Sequence, residues 1–405
     1  MSYIPISVKQ FFDKELCEKL EKRIREVIYD MKAYGVRFQN GRKVFTGYSY
    51  GEFYDWDLYF ENLFLSYLGI SEFCRSGVEM FLDRQLKCGF IPRTLGIVYP
   101  KPRHHFKPFL AQISLLGSRQ VGDFRWLKGK YYERLKKYLD YWFWFCDLDK
   151  NGLCVWDGSD HSGMDNQIFR LGYDGVMSVE GVDLNCYLVR ELQAIAEIAL
   201  ELGYKDDAER FTEQMNNLAR LIDDIFWDEI EGFYYDRDER RNKLIKVRSI
   251  AGLLPLWTGL IPENRAKRLV YEHLLNSDEF WLPYPVATWS KSDPNYYQES
   301  KTGECTWMGA TWIPTNYMIF HGLMRYGYKE VARELAYKTF EMLMLETATR
   351  EYYNSETGSG QGLNPFWGWS TLGYVMPIEY ELGYDPTDTK NKEYFIIKEF
   401  SEFWL

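Results

Sequence analysis

Apolar residues recur every three or four positions along most of this chain, a spacing that places them on one face of a helix. Near the N-terminus the series runs through Val8, Phe12, Leu16, Leu20, Ile24, Val27 and Met31. These stretches are rich in Glu, Lys, Leu and Ala and poor in Pro, which favours helix over strand. The pattern predicts about twelve helices, at 8–33, 57–69, 73–88, 106–118, 127–147, 180–202, 206–227, 247–258, 262–276, 310–326, 328–347 and 369–382.

Glycines mark the ends of four of these series, at Gly69, Gly203, Gly327 and Gly383. A glycine directly after a helix can adopt the left-handed conformation that ends the last turn. After Gly203 and Gly327 a new helical pattern starts within a few residues, which predicts antiparallel helix pairs. Between the pairs lie longer segments at 34–56, 89–105, 148–179, 228–246, 277–309 and 348–368.

Twelve helices in sequential pairs can close into an all-α double ring, the (α/α)6 toroidal barrel of about six helical hairpins. The six long loops alternate with short turns, so they would gather on one face, and long loops in a compact domain are usually functional. No linker rich in Pro, Gly and Ser divides the chain, which predicts a single domain over 1–405. An open α-solenoid is the alternative, although the helix pairs lack a fixed period.

Composition narrows the classes of function. Of the 405 residues, 46% are apolar, enough for a large core, and the net charge of −10 argues against binding a nucleic-acid backbone. No run of 18 apolar residues and no signal peptide are evident, so no membrane association is expected. Seven irregularly spaced cysteines suit free thiols in a reducing compartment, which predicts a cytoplasmic protein. A homo-oligomer is left open.

Two isolated carboxylates stand out among aromatic residues and glycines. Asp165 lies in the turn Ser162–Asn166, just after the run Val155-Trp156-Asp157-Gly158. Glu351 opens Glu351-Tyr352-Tyr353-Asn354, which leads into a glycine-rich segment and then into Trp367-Gly368-Trp369. A pair of carboxylates flanking the bond is what acid–base cleavage of a glycoside requires, and Tyr and Trp suit stacking on sugar faces. These residues indicate a glycosidase acting on a small carbohydrate.

An ordered series of motifs over residues 45–384 resembles a known family. Its elements are Phe53-Tyr54-Asp55-Trp56-Asp57-Leu58-Tyr59-Phe60, Gly89-Phe90-Ile91-Pro92, Ser162-Gly163-Met164-Asp165-Asn166, Val182-Asp183-Leu184-Asn185, Trp307 with Gly309, Trp312 and Asn316, Glu351-Tyr352-Tyr353, and Gly368-Trp369-Ser370. In this order they resemble the inverting α-glycosidases of glycoside hydrolase family 63, particularly its mannosylglycerate and glucosylglycerate hydrolases. The trehalases of family 37 are similar as well.

The resemblance implies a role for each matched residue. Asp165 would be the general acid and Glu351 the general base, with Glu356 as the neighbour most easily confused with the base. The reaction implied needs neither a cofactor nor a metal. Sugar contacts are expected from Tyr54, Asp55, Trp56, Asp57, Tyr59, Trp156, Arg170, Trp312, Trp367 and Trp369.

The chain departs from the family pattern at three positions, which concerns substrate identity more than reaction type. His161 stands where Glu is usual, Met308 where Arg is usual, and Phe169 where Arg is expected four residues after the acid. A substrate that carries a carboxylate, such as a glycerate glycoside, would need a cation to bind it. The candidates are Arg93, Arg103, Lys107 and Arg170.

Several readings of the function stay open. Mannosylglycerate or glucosylglycerate is the first choice of substrate and trehalose the second. A sugar isomerase or epimerase on the same barrel would use histidine pairs, and only His104–His105 are adjacent among five histidines. A non-catalytic carbohydrate-binding protein would have no reason to keep isolated carboxylates in both halves. Asp147–Asn151 begins like a calcium loop, but Gly158 stands where the final Glu is needed, which favours a polar turn.

Overall fold

The computed structural model describes residues 12–39, 41–48, 52–96, 104–299 and 305–386. The first residues of the predicted helix 8–33 and the candidate cation Arg103 therefore lie outside the described residues. This part of the chain contains fourteen α-helices: α1 Lys14–Asp30, α2 Asp55–Tyr67, α3 Glu72–Leu82, α4 Leu110–Val121, α5 Lys130–Phe145, α6 Ser159–Ser162, α7 Ile168–Leu171, α8 Val182–Leu202, α9 Lys205–Phe226, α10 Pro255–Thr258, α11 Glu263–Arg268, α12 Ile313–Arg325, α13 Lys329–Leu345 and α14 Leu372–Leu382.

Six of these helices contact one another in a closed cycle. Helix α2 packs on α4, α4 on α8, α8 on α10, α10 on α12, α12 on α14, and α14 returns to α2. Their position explains their composition: every residue of α2 is buried, and α12 is buried from Ile313 to Leu323. A helix that is enclosed on all sides has no polar face to present to water.

The remaining long helices are amphipathic and lie outside this ring. Helix α9 packs on α8, α3 on α4, and α13 on both α12 and α14. In α9 the buried positions Ala208, Phe211, Leu218, Ile222 and Phe226 follow the helical period, and the residues between them are mostly exposed. The buried apolar residues of both layers form one continuous cluster.

Each of the twelve predicted segments contains helix in the described residues, with shifted ends, but the segment predicted at 247–258 divides into a 3-10 helix, Ile250–Leu253, and α10. Gly69, Gly203, Gly327 and Gly383 all have positive φ, as the sequence predicted. The helix predicted at 73–88 ends at Leu82, and the one predicted at 106–118 begins only at Leu110. Ahead of Leu110, the backbone N–H of Lys107 donates to the Asp55 carboxylate (3.0 Å) instead of entering a helix.

Most of the described structure is helical, as predicted, and short strands that the sequence analysis did not predict lie in or at the ends of the long loops. The described strands are β1 Val36–Gln39, β2 Arg42–Phe45, β3 Phe53–Tyr54, β4 Thr94–Leu95, β5 Val155–Trp156, β6 Val179–Glu180, β7 Trp227–Asp228, β8 Phe233–Tyr234, β9 Arg237–Asp238, β10 Lys243–Leu244, β11 Tyr352–Tyr353 and β12 Gly360–Gln361. The largest sheet is antiparallel with the order β10-β9-β6-β5. Backbone pairing thus satisfies loop groups that side chains alone would leave buried and unpaired.

Two further predictions concern the whole chain. None of the seven cysteines forms a disulfide bond, as their spacing predicted; all seven belong to the described residues. Within the described ranges, none of the helices has the length and apolar character required to cross a membrane.

A buried carboxylate joins three helices of the ring. Glu379 on α14 accepts hydrogen bonds from the hydroxyls of Tyr67 on α2 and Tyr317 on α12. His321, also on α12, places its Nε2 2.8 Å from the same carboxylate and its Nδ1 3.5 Å from Asp385. Burial opposes the charge on His321, but Asp385 and Glu379 outweigh it and raise the pKa of the imidazole to about 9.

This network predicts a pH-dependent stability. Because the pKa of His321 is higher in the folded chain than the ordinary 6.5, the stabilisation is complete below that value and is lost as pH rises through about 9. We expect His321→Gln to lower the free energy of unfolding by roughly 2–3 kcal/mol at about pH 6. The difference from the unmodified chain should shrink markedly at about pH 10. Urea unfolding at both pH values measures it.

His105 provides the matched control. Burial lowers the pKa of its imidazole to about 3, so it is neutral in the folded chain across the whole range used. The cost of His105→Gln should therefore show no such decline between neutral and alkaline pH. An equal decline for both variants would contradict the ionised His321 pair.

Candidate active site

The N-terminal ends of the ring helices carry most of the predicted site. Asp55 and Asp57 open α2, and Lys107 lies three residues before α4. Trp312 directly precedes α12, and Trp369 lies in the short 3-10 turn before α14. The Asp55–Lys107 ion pair joins the starts of α2 and α4, and the Trp312 and Trp369 rings join the starts of α12 and α14. The positive ends of several helix dipoles thus meet at one end of the ring.

The segment that carries Asp165 is an extended turn with fixed ends. Helix α6 stops at Gly163, whose φ of 84° is left-handed, and the Ser162 hydroxyl accepts a hydrogen bond from the backbone N–H of Met164 (3.0 Å). Asn166 donates to the Tyr297 hydroxyl (2.8 Å) and accepts from the backbone N–H of Trp307 (3.0 Å). These bonds leave Asp165 exposed, facing a cavity.

The cavity beside Asp165 has a volume of about 730 Å³. It is lined on the same segment by Ser159, Asp160, Asn166, Ile168, Phe169, Tyr173 and Asp174, and from the opposite side by Tyr297 and Met308. The size is within the range of small-ligand pockets. Two additional carboxylates, Asp160 and Asp174, make its described lining acidic.

Glu351 is buried, and its surroundings hold it in one orientation. One carboxylate oxygen accepts a hydrogen bond from the backbone N–H of Leu363 (3.0 Å), and the other lies 3.9 Å from the Cys305 sulfur. The indole N–H of Trp369 (2.9 Å) and the hydroxyl of Ser370 (3.1 Å) both donate to the Glu351 carbonyl. Burial raises the pKa of the Glu351 carboxyl, and the Leu363 hydrogen bond opposes that shift.

The Cys305 thiol interacts electrostatically with both carboxylates, Glu351 and Asp165. Burial raises the pKa of the thiol, and the negative charges of Glu351 and then Asp165 raise it further. Coulomb interactions of this kind decay over short distances in a partly solvated site. The backbone N–H of Trp307, two residues from Cys305, donates to Asn166 (3.0 Å), next to Asp165, so this segment connects Asp165 with Glu351, 186 residues apart in the sequence.

Gly362 is in close contact with Glu351, which gives a first prediction for the site. A Cβ at Gly362 would lie 2.4 Å from a Glu351 carboxylate oxygen, and φ there is +70°. We expect Gly362→Ala to displace the carboxylate and lower turnover by about 100-fold, the scale of a 1 Å misplacement. Steady-state kinetics on the cleaved glycoside measure it.

The control for this variant is Gly203→Ala. Its φ of +85° is equally left-handed, but open space surrounds the position of the added Cβ. This substitution should cost stability, about 1 kcal/mol, and leave turnover unchanged. Equal kinetic losses in both variants would argue that backbone strain alone, and not the contact with Glu351, matters.

Aromatic rings form a packed wall between the helix ends. The Trp307 and Trp312 rings stack with centroids 3.8 Å apart, and Tyr352 continues the stack on Trp312 at 4.5 Å. Trp56 lies 5.8 Å from Trp307, and Trp369 lies 5.8 Å from Trp312. All five rings are buried, so they contribute rigidity to this part of the molecule.

A charged cluster lies at the start of α2. Lys107 and Asp55 form a fully buried ion pair (2.9 Å), with the ammonium 5.1 Å from the centre of the Trp56 ring. Arg93 pairs with Asp160 and lies 5.6 Å from the ring of Tyr54. The structure thus brings Tyr54, Asp55 and Trp56 together, and two of the candidate cations are already engaged by carboxylates.

Asp57 is a buried carboxyl whose pKa is raised. Burial raises the pKa of the Asp57 carboxyl to about 8, and the charge of Asp55 adds to the shift, while Lys107 and Arg93 oppose it. Asp57 is therefore largely protonated at neutral pH. A neutral carboxylic acid can both donate and accept a hydrogen bond, which suits recognition of a sugar hydroxyl.

Four of the predicted sugar contacts have other surroundings in the structure, and their role in sugar binding stays a prediction. Trp156 and Arg170 are fully buried: the Trp156 indole N–H donates to Asp183 (2.8 Å), and Arg170 forms ion pairs with Asp183 (2.6 Å) and Asp236. Trp367 donates to the Thr46 carbonyl (2.7 Å) under the β1–β2 hairpin. Tyr59 lines a second cavity that Asp165 does not share. Polar partners inside the protein hold the first three side chains.

Cys305, Asp160 and Asp174 were not among the predicted site residues, whereas Gly362 belongs to the glycine-rich segment noted after Glu351 in the sequence. Nothing in the spacing of Cys305 distinguishes it from the other six cysteines. Asp160 and Asp174 flank the recognised motif, and only the fold turns them toward Asp165.

Two groups of side chains in the described residues have the spacing of metal ligands. They are His104 with Asp160 and Asp174, and Asp149 with Glu180 and Glu239. In the second group Arg237 already pairs with Glu180 (2.7 Å). The calcium-like segment forms a polar turn, in which the Gly152 N–H donates to Asp147 (3.2 Å) and the Asn151 N–H to Asp149 (3.2 Å).

Comparison with known proteins identifies the class. Residues 50–370 match the model of the mannosylglycerate hydrolase MGH1-like glycoside hydrolase domain. Because this match covers more than half of the chain, the chain belongs to the MGH1-like glycoside hydrolases. Among curated relatives, it is 28% identical over 201 residues to the mannosylglycerate hydrolase of Rubrobacter radiotolerans, covering 49% of this chain and 43% of that one.

Trehalases are also among the relatives. The periplasmic trehalase of Salmonella newport is 27% identical over 238 residues, 55% of this chain and 39% of the trehalase. The chain thus matches less than half the length of these curated relatives. The family 63 mannosylglycerate hydrolase of Thermus thermophilus, solved in complex with glucose, shares the fold with a TM-score of 0.69 and 19% identity; the match covers 86% of this chain and 98% of that one. The neutral trehalase of Saccharomyces cerevisiae shares it with a TM-score of 0.65 and 18% identity; the match covers 87% of this chain and 79% of that one.

Proposed function

We propose that this protein is an inverting α-glycoside hydrolase that cleaves a small α-glucoside or α-mannoside. The observation that carries the proposal is the pair formed by an exposed Asp165 and a buried Glu351, which the segment of Cys305 and Trp307 joins: the Cys305 sulfur lies 3.9 Å from Glu351, and the Trp307 N–H donates to Asn166 (3.0 Å), next to Asp165. We also infer that the closed cycle of six helices is the inner ring of an (α/α)6 barrel. Helices α1, α3, α5, α9, α11 and α13 would then form the outer ring.

The two carboxylates have complementary tasks in this reaction. Asp165, protonated before the step, donates its proton to the glycosidic oxygen as the bond to the anomeric carbon breaks. Glu351, ionised, accepts a proton from a water molecule that attacks the same carbon from the opposite face. The product sugar has inverted configuration, and both carboxyl groups end in exchanged protonation states. Solvent then restores them.

The sugar-binding part of the proposal rests on the start of α2. Protonated Asp57 would exchange hydrogen bonds with one hydroxyl, and Trp56 would limit the pocket on one side. The Asp55–Lys107 pair holds both in place, because Lys107 also contacts the Trp56 ring. Removing either charge would leave the other buried without its partner, which is strongly destabilising.

Two substrate classes differ in the charge of the leaving group. Relatives that are mannosylglycerate hydrolases favour a glycerate glycoside. The acidic cavity favours a neutral leaving group, as in trehalose, because Asp160 and Asp174 would repel a carboxylate. In the described residues Arg93, Lys107 and Arg170 are each paired with an aspartate, so none of these three is available to bind an anion without breaking that pair.

A proton NMR time course on the purified protein tests the proposal. The substrates are mannosylglycerate, glucosylglycerate, trehalose and short α-linked glucose and mannose disaccharides. We expect the β-anomer of the released sugar to appear first. Release of the α-anomer first would overturn the assignment of Asp165 and Glu351, and interconversion of a free sugar without cleavage would favour an isomerase.

A further inference from the structure

A second cavity is lined by residues of the ring helices α2, α4, α8 and α12 and extends to the last turns of α4 and α12. Its volume is about 320 Å³. Arg119 and Arg325, in the last turns of α4 and α12, contribute to its lining, as do Arg190 and Glu197 on α8 and Asp385 after α14. The remaining lining residues are Tyr59, Gln112, Leu115, Leu116, Gln193 and Ala194.

The charges in this cavity do not balance. Arg119 pairs with Glu197, and Arg325 lies 3.5 Å from Asp385. These pairs account for both carboxylates of the lining and leave the third guanidinium, that of Arg190, without a salt bridge in the part of the chain that the structure describes. The lining therefore has an excess of one positive charge, located on Arg190.

Arg190 also has unused hydrogen-bonding capacity. One of its terminal nitrogens donates to Gln193 (2.6 Å), and the guanidinium lies 5.4 Å from the centre of the Trp257 ring. Its Nε is buried and has no hydrogen-bond partner among the described residues. Burial lowers the pKa of this guanidinium to about 10, and the nearby charge of Arg325 adds to the effect. An anion in the cavity would accept a hydrogen bond from this Nε and would offset the cost of burying the positive charge.

Tyr59 adds a neutral donor to the same cavity. Its hydroxyl makes no hydrogen bond to another described residue. Burial raises the pKa of the phenol, so the hydroxyl stays protonated and can donate a hydrogen bond. Arg119 and Arg325 could be explained as C-terminal helix cations, since Arg325 donates to the Trp257 carbonyl (3.2 Å). Arg190 lies in the middle of α8, where that explanation does not apply.

We propose that this cavity binds a small oxyanion, either a carboxylate or a phosphate group, with Arg190 as its main partner and the Tyr59 hydroxyl as a second donor. A planar guanidinium matches the paired oxygens of both groups. The site is separate from the proposed glycosidase site and does not depend on it. For Tyr59, this assignment is an alternative to the predicted sugar contact.

Thermal unfolding and titration calorimetry on the full chain test the proposal. Inorganic phosphate and acetate are the probes, each compared with sodium chloride at equal ionic strength. We expect one anion to raise Tm with saturation, as a ligand of the folded state does, and to bind with measurable heat. The anion that binds more tightly identifies the group: phosphate would indicate a phosphorylated ligand and acetate a carboxylate.

Variants decide whether Arg190 carries the binding. Arg190→Gln should lower the affinity of the chain for the anion at least about tenfold. Arg220→Gln, at an exposed position on α9, should leave that affinity unchanged. Tyr59→Phe removes only one hydroxyl and should weaken binding a few-fold, which keeps the test decisive if Arg190→Gln fails to fold. No saturable binding by the unmodified chain, unchanged affinity in Arg190→Gln, or, if that variant does not fold, unchanged affinity in Tyr59→Phe would overturn the proposal.

Discussion

Asp165→Asn is expected to lower kcat by about 10²- to 10⁴-fold, the usual contribution of a positioned proton donor. An amide cannot give a proton to the glycosidic oxygen, so the leaving group would depart as an unstable alkoxide. Because Asp165 is exposed and the turn around it is held by Asn166 and Ser162, the fold should be unchanged. Substrate affinity should remain within a few-fold of the unmodified enzyme. Kinetics and calorimetric binding of an uncleaved substrate together measure the two effects.

The leaving group of the substrate provides the internal check. A nitrophenyl glycoside departs without much need of protonation, so Asp165→Asn should be impaired far less on it than on an alkyl glycoside. Asp174→Asn removes another carboxylate from the lining of the same cavity and serves as the matched variant. It should change KM more than kcat. Equal losses on both kinds of substrate would show that Asp165 is not the acid.

Glu351→Gln should be the most damaging single substitution, with kcat reduced by at least about 10³-fold. The attacking water would lose its proton acceptor, and a better leaving group cannot compensate for that loss. The deficit should therefore be as large on nitrophenyl glycosides as on alkyl glycosides, in contrast to Asp165→Asn. The carbonyl of residue 351 would keep its bonds from Trp369 and Ser370, so the loop should stay in place.

Glu356→Gln is the control for the base, because Glu356 is the nearby glutamate. Its carboxylate pairs with Lys291 (3.1 Å) and accepts a hydrogen bond from Tyr296 (2.8 Å), and the Tyr296 bond lowers its pKa. It should retain most of the activity. A larger loss in Glu356→Gln than in Glu351→Gln would exchange the two assignments.

The pH profile reports on the same residue. Glu351 must be ionised to act as a base, and burial raises its pKa above the ordinary value of 4.5. Activity should consequently fall as pH decreases through that raised pKa, so the acidic limb of kcat/KM lies above pH 4.5. The residual activity of Glu351→Gln should lack this limb. A limb that persists unchanged in the variant would belong to another group.

The helices could be predicted because each one buries a regular stripe. The spacing of Phe211, Leu218 and Ile222 depends only on local geometry, and the left-handed glycines at 203, 327 and 383 end helices for local reasons too. The short strands could not be predicted in the same way. Segments of two residues carry no periodicity, and partners such as β6 and β9 are about 57 residues apart in the chain.

The candidate site, too, could be predicted only in part from the sequence. The motif around Asp165 and the one around Glu351 each identified a carboxylate, and the structure supports a shared location through Cys305. Motif membership could not tell which aromatic and charged residues face the cavity. Trp156 and Arg170 belong to the same recognisable blocks, yet they bind Asp183 and Asp236 inside the protein. Direction of a side chain depends on long-range packing, which local patterns do not encode.

The hydrogen bonds from the Asp165 turn to the segment before α12 divide the cavity wall into two kinds of position. Asn166 and Gln167 attach that turn to the backbone of Trp307, so they fix the position of Asp165, the proposed acid, relative to this segment. Phe169, Tyr173 and Asp174 lie on the open side and have no part in that attachment. We therefore expect substitutions in the second group to change which leaving groups the enzyme accepts, while the spacing between Asp165 and Glu351 stays constant.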